Sequence, residues 1–206
     1  MRTIATPAGD ARVAVAAAPR PRATLVLGHG AGGGIEAGDL VALADVLPTV
    51  GVTVLRVEQP WRVAGRRVAT APASLDLAWI TVLAELALPG PVVVGGRSAG
   101  ARVSCRTAGV VGAVGVVALA FPLHPPGRPE RSRLAELEEC AVPTLVVQGE
   151  RDAFGGPADF PADVDVRAVP FADHSFRVPG RAPVSREQTL AHVCALVEDW
   201  LAAILA

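Results

Sequence analysis

Residues 93–101 read Val-Val-Gly-Gly-Arg-Ser-Ala-Gly-Ala. An apolar, strand-like run ends in glycine, and a helix-compatible segment starts after Ser98. The spacing G-x-S-x-G, here Gly96-Arg97-Ser98-Ala99-Gly100, is what a sharp strand-to-helix turn requires. Such a turn lifts a serine hydroxyl clear of the sheet at the cost of strained backbone angles. Glycines two residues before and two after keep Cβ atoms from striking crossing backbone. The N–H of Ala99 would point to the same spot as the Ser98 hydroxyl, over the positive end of the new helix. In a chain with 21 glycines the motif also arises by chance, so a plain strand–helix turn is the competing reading.

Strand-like and helix-like stretches alternate on both sides of this turn, which predicts an α/β fold with a mostly parallel sheet and helices on both faces. Residues 2–6 and 12–17 flank the turn Pro-Ala-Gly-Asp and read as an opening hairpin. Residues 24–28, 52–57, 91–95, 114–119, 144–149 and 164–169 read as six further strands, about eight in all. Asp39 is a candidate N-cap for a helix carrying Leu40, Leu43, Ala44 and Leu47 on one face. Residues 58–73 read as a long polar loop, and Ser74 opens a helix with Leu75, Trp79, Val82, Leu83 and Leu86 at helical spacing. About a dozen helical residues are expected after Ser98, and a short charged helix near residues 131–139. A capping box, Ser185-Arg-Glu-Gln188, starts the last helix, whose core face is Leu190, Val193, Cys194, Val197, Trp200, Leu201 and Ile204. No repeat or long linker interrupts the pattern, so residues 1–206 read as one domain.

A reactive serine needs a base, and the base needs an orienting acid. In a strand-turn-helix arrangement of this kind the order is Ser, acid, His, with the last two on loops after later strands. Asp152, in Gly149-Glu-Arg-Asp152, follows the strand at 144–149, and His174, in Phe171-Ala-Asp-His-Ser-Phe176, follows the last strand. Glu150 is an alternative acid if the turn differs. Asp173 is a poor one, because adjacent residues of an extended loop point apart. His192 falls inside the last helix off its apolar stripe and reads as a surface residue. His124, in the loop at 121–127, either lines the pocket or caps the loop.

Residues 28–34 are Gly-His-Gly-Ala-Gly-Gly-Gly and admit three readings. Gly28-x-Gly30-x-x-Gly33 matches a dinucleotide fingerprint, with Glu58 ending the next strand where a ribose-binding acid would sit. Against it, the first good helix signal is only at Asp39, a hairpin precedes the strand, and Ser98, Asp152 and His174 would share no purpose. As an oxyanion loop, the segment lends a second N–H, with Ala31 the expected donor and His29 beside the substrate. The third reading is a plain tight turn. Arg97, Arg66 and Arg67 lie near the expected pocket together with His124, and either form an anion-binding mouth or pair internally, for example with Glu58; the pairing is the simpler outcome.

Composition narrows the function classes. Net charge is −1 and the 19 basic residues are all arginine, scattered along the chain, which disfavours nucleic-acid binding. Lysine, asparagine and tyrosine are missing, the mark of a GC-rich, bacterial genome. The longest apolar run, 110–121, is too short and too glycine-broken to span a membrane, and the N-terminus has no apolar signal region. Cys105, Cys140 and Cys194 share no close spacing, which argues against a metal site or disulfide framework and for a reducing cytoplasm.

Six segments together carry a resemblance: HGAGG at 29–33, GRR at 65–67, GGRSAGAR at 95–102, FPLHPPGRPE at 121–130, VQGERDAFG at 147–155 and DHSF at 173–176. The chain resembles a branch of the α/β-hydrolases that includes a testis-expressed hydrolase-like protein, a regulatory subunit of a histone-acetyltransferase complex, and small bacterial dienelactone-hydrolase-like proteins. That resemblance implies an α/β-hydrolase fold with Ser98, Asp152 and His174 as the family triad. True dienelactone hydrolases carry a cysteine where Ser98 stands, so dienelactone is not implied as substrate. No long insertion is available for a lid, so the expected pocket is open and suits a small ester or thioester. The expected activity is serine hydrolysis without metal or cofactor, on a small-molecule substrate, with oligomeric state left open. A non-catalytic scaffold on the same fold is the alternative, and a dinucleotide-binding oxidoreductase the third reading.

Overall fold

A computed structural model describes residues 1–66 and 69–206. Eight strands form one sheet: β1 (Arg2–Thr6), β2 (Gly9–Ala16), β3 (Ala23–Gly28), β4 (Val52–Glu58), β5 (Val92–Arg97), β6 (Gly115–Leu119), β7 (Thr144–Gly149) and β8 (Asp165–Val169). Their order across the sheet is β1-β2-β4-β3-β5-β6-β7-β8. The β1–β2 and β2–β4 pairs are antiparallel; every later pair is parallel. The opening hairpin is tighter than its sequence suggests: Thr6 pairs with Gly9, so only Pro7 and Ala8 turn, and Asp10 already pairs with Ala5.

Among the described residues six α-helices flank the sheet: α1 (Gly38–Val46), α2 (Pro60–Val63), α3 (Pro72–Ala84), α4 (Ala99–Thr107), α5 (Ala135–Glu138) and α6 (Arg186–Ile204). The central strands are buried on both faces, which is why β3 and β6 read as unbroken apolar runs rather than alternating ones. Strand alternation still sorts their side chains. Leu25 and Leu27 pack with Leu40, Leu43, Val193 and Trp200 under α1 and α6. Val26 packs with Trp79, Val82, Val103 and Phe121 under α3 and α4 on the other face.

The Ser185 capping box forms as read: its hydroxyl accepts from Gln188 N at 3.1 Å, and Gln188 Oε1 accepts from Ser185 N at 2.8 Å. Asp39 is not a cap. Helix α1 starts at Gly38, and the Asp39 side chain turns inward, buried beside an arginine from another element. Helix α4 is nine residues long, shorter than expected. The loop after β4 is not wholly irregular, since Pro60 starts the short α2. Between β6 and β7, where a lid would be inserted, the only helix is the four-residue α5. Among the described residues, no helix is long and apolar enough to cross a membrane.

Candidate active site

Ser98 sits between β5 and α4 with φ 53° and ψ −109°, in a region that non-glycine residues rarely occupy. Strain of this kind is held only where surrounding contacts over-determine the backbone. Here Ser98 N donates to Leu119 O at 2.9 Å, and Arg102 N donates to Ser98 O at 3.2 Å. The flanking glycines are needed because β3 crosses tightly beneath the turn. A Cβ on either Gly96 or Gly100 would run into the Gly28 carbonyl, and Gly96 has φ +151°. Glycine at 28 thus belongs to the same device.

The chain's carboxyl strand ends bring Asp152, after β7, and His174, after β8, to this turn. His174 Nε2 lies 3.0 Å from Ser98 Oγ, and His174 Nδ1 lies 2.7 Å from Asp152 Oδ2. Asp152 is buried and further held by two donors. Phe154 N donates to its Oδ1 at 2.8 Å, and Gln148 Nε2 donates to its Oδ2 at 2.9 Å. The Phe154 ring stands 4.2 Å from the imidazole, centroid to centroid. Glu150, the alternative acid, faces elsewhere and accepts from Phe171 N at 2.9 Å. Asp173 Oδ1 accepts from Ser175 N and Arg177 N, folding the His174 loop instead of orienting the ring.

Gln148 was not singled out by the sequence reading. Its signal was an amide that follows the apolar run Leu-Val-Val within a buried strand, Thr-Leu-Val-Val-Gln-Gly. Fully buried, its amide nitrogen also donates to Gly155 O at 2.6 Å and Phe121 O at 3.2 Å. Replacing it by leucine strands these acceptors beside a buried carboxylate. Gln148→Leu is expected to cost about 3 kcal/mol, lowering Tm by roughly 10 °C. Thermal melts of the two proteins side by side check this; an unchanged Tm would show the amide contributes nothing.

The arginine expectations need correcting. Arg97 pairs internally, but with Asp39 and not Glu58: Arg97 Nε lies 3.6 Å from Asp39 Oδ2. Burial pushes the Asp39 carboxyl up, and the Arg97 charge opposes that shift. The other end of Arg97 donates to His174 O and Ser175 Oγ, both at 2.8 Å, so it clamps the loop that carries the imidazole. Glu58 instead lies 4.0 Å from Arg12. Arg66 is exposed and does not line the pocket around Ser98; Arg67 lies outside the described residues. His124 does not line the pocket either, its Nδ1 sitting 3.0 Å from Pro125 O in its own loop. His29 is buried, not open to a ligand. Its Nε2 accepts from Gln59 N at 3.1 Å, so Nδ1 donates to Gly30 O at 2.9 Å, and burial pushes its pKa down. It shapes the glycine loop from behind.

That loop forms one wall of a cavity of ≈ 410 Å³ over Ser98, lined also by Ala99, Phe154 and His174. Ala31 lines the same cavity. Among the described residues, neither the Ala31 nor the Ala99 N–H has a protein acceptor, and Ala99 is the first residue of α4, where N–H groups have no partner within the helix. No helix starts within the glycine run, as a dinucleotide fingerprint would need; α1 begins only at Gly38. Two further arginines, Arg102 of α4 and Arg133 from the loop before α5, line the cavity and were not anticipated.

The model of the alpha/beta hydrolase domain matches residues 21–202. The chain belongs to the alpha/beta hydrolase family. Solved structures with the same fold include XC6422 from Xanthomonas campestris, described as an α/β serine hydrolase without lid: 20% identity, TM-score 0.69, covering 97% of this chain and 93% of that one. An alpha-beta serine hydrolase homologue from Coxiella burnetii is 19% identical with TM-score 0.73, covering 96% and 95%. Dienelactone hydrolase from Anabaena variabilis is 17% identical with TM-score 0.71, covering 98% and 95%. No curated protein matches by sequence. In this α/β-hydrolase the elbow, the later loops and the glycine loop meet at one rim of the sheet.

Proposed function

We propose that this α/β-hydrolase is a serine hydrolase of small esters or thioesters, working through an acyl-enzyme on Ser98. The observation that carries the reading is the continuous chain Ser98 Oγ–His174 Nε2, 3.0 Å, and His174 Nδ1–Asp152 Oδ2, 2.7 Å. His174 takes the hydroxyl proton as Ser98 Oγ attacks the carbonyl carbon, and Asp152 fixes the tautomer and stabilises the imidazolium. Negative charge builds on the carbonyl oxygen, where the free N–H groups of Ala31 and Ala99 bind it. Collapse of the tetrahedral species breaks the bond to the leaving group, which takes the proton from His174. Water, deprotonated by the same imidazole, then releases the acid and restores Ser98.

The open cavity and the four-residue helix where a lid would stand favour short acyl chains. We place the enzyme in the dienelactone-hydrolase-like branch its motifs resemble, and in a bacterial cytoplasm. All three cysteines are free.

Hydrolysis of 4-nitrophenyl acetate tests the reading. The wild type is expected to turn it over, and Ser98→Ala to lose kcat by roughly six orders of magnitude. Equal rates for the two proteins would end it.

A further inference from the structure

Among the described residues, three arginines line the cavity over Ser98, Arg97, Arg102 and Arg133, and no carboxylate does. Two of these charges are answered from behind the wall. Arg97 faces Asp39. Arg102 Nε donates to Glu136 Oε2 at 2.9 Å. Glu136 is shared with Arg106, whose other edge grips Asp76 at 2.7 and 2.9 Å. Arg102, Arg106, Asp76 and Glu136 therefore sum to zero charge.

Arg133 is different. Among the described residues, no carboxylate oxygen lies within the 4.0 Å of an ion pair from it. Among the described residues its one side-chain hydrogen bond is from Nη1 to Pro122 O at 2.8 Å, and its backbone N donates to Leu123 O at 2.7 Å. The other N–H groups of its five-donor guanidinium have no hydrogen-bond partner among the described residues, and the residue lines the cavity. Partial burial and the neighbouring Arg102 charge push the Arg133 pKa down, and the more distant Glu136 carboxylate opposes them without reversing the shift. A cation held beside another cation, with its main neutral partner a carbonyl, is a position that an anion would relieve.

We propose that Arg133, with Arg102 beside it, binds a carboxylate on the substrate, so the enzyme prefers short esters or thioesters that carry a free carboxylate. The inference rests on the Ser98 reading. A single guanidinium without an ion-pair partner among the described residues suits the one charge of a carboxylate, whereas a phosphate monoester brings nearly two. A planar guanidinium fork also matches a carboxylate edge with two parallel hydrogen bonds. The arrangement selects among esters without taking part in bond making.

Two matched pairs decide it. For a carboxylate on the acyl side, 4-nitrophenyl hemiglutarate is compared with 4-nitrophenyl pentanoate. For one on the leaving group, 4-acetoxybenzoate is compared with 4-acetoxybenzamide. In at least one pair the wild type should favour the anionic member in kcat/KM by about tenfold at low ionic strength, the value of one charge-assisted contact. Added salt at about 0.5 M should shrink that ratio by screening a partly exposed site. Arg133→Gln should bring the ratio close to one, and Arg133→Lys, which keeps the charge but loses the fork, should retain part of it. A wild-type ratio near one in both pairs overturns the proposal without any variant, as does a preference that survives Arg133→Gln. Neutral esters cleaved in a Ser98-dependent way with no carboxylate preference would remove this inference alone; esters cleaved equally by Ser98→Ala would remove the hydrolase reading beneath it.

Discussion

His174→Ala should lower kcat by roughly five to six orders of magnitude while leaving Tm within a few degrees of wild type. The imidazole stands between Ser98 Oγ and the Asp152 carboxylate, and no other side chain among the described residues bonds to the hydroxyl. Without it the serine keeps its proton at neutral pH, and the leaving group departs unprotonated. The fold does not depend on the ring. Arg97 holds the loop through the main-chain carbonyl of residue 174 and through Ser175, and both contacts survive the substitution. KM for a short ester should change little, because the lost interaction is made in the transition state. Steady-state kinetics beside a thermal melt separate the cases: a loss of activity matched by a collapse of Tm would assign His174 a structural role instead.

Gly100→Ala should destabilise the protein by about 4 kcal/mol or more, placing it among the exceptional single substitutions. For a chain of this size that corresponds to a fall in Tm of roughly 8–16 °C. The added methyl would meet the carbonyl of Gly28, which is backbone of a central strand bonded on both sides, to β4 and β5. Neither α4 nor β3 can withdraw without breaking a ladder or the helix that follows Ser98. Gly109→Ala provides the comparison, since a Cβ there meets nothing within 4 Å. Denaturant melts should find Gly109→Ala close to wild type. If Gly100→Ala proves equally harmless, the close crossing is not what demands glycine at the elbow.

How much of this could be read from sequence depended on whether a feature is local. Strand β7 and the Ser185 cap lie where their residues place them, because apolar runs and capping boxes act over a few neighbours. The positions of Ser98, Asp152 and His174 after successive strands follow from the order of elements, and topology alone carries them to one rim. Long-range pairings left no such trace. Asp39 looked like a helix cap because aspartate commonly is one, yet an arginine from the elbow draws it into the core. His29 looked available in a glycine loop, but Gln59, thirty residues on, takes its free nitrogen. Arg102 and Arg133 come from separate elements, and only the folded chain shows that they line one cavity and that Glu136 answers just one of them directly. Gln148 was legible in principle, since a buried strand rarely spends a position on an amide without a partner to hold.

The most direct test of the account is reaction with a fluorophosphonate probe followed by mass spectrometry of the intact protein and its peptides. The account predicts one covalent adduct per chain, on Ser98, abolished in Ser98→Ala and strongly slowed in His174→Ala. A wild-type protein that acquires no adduct, or one whose adduct persists unchanged when Ser98 is replaced, would contradict it.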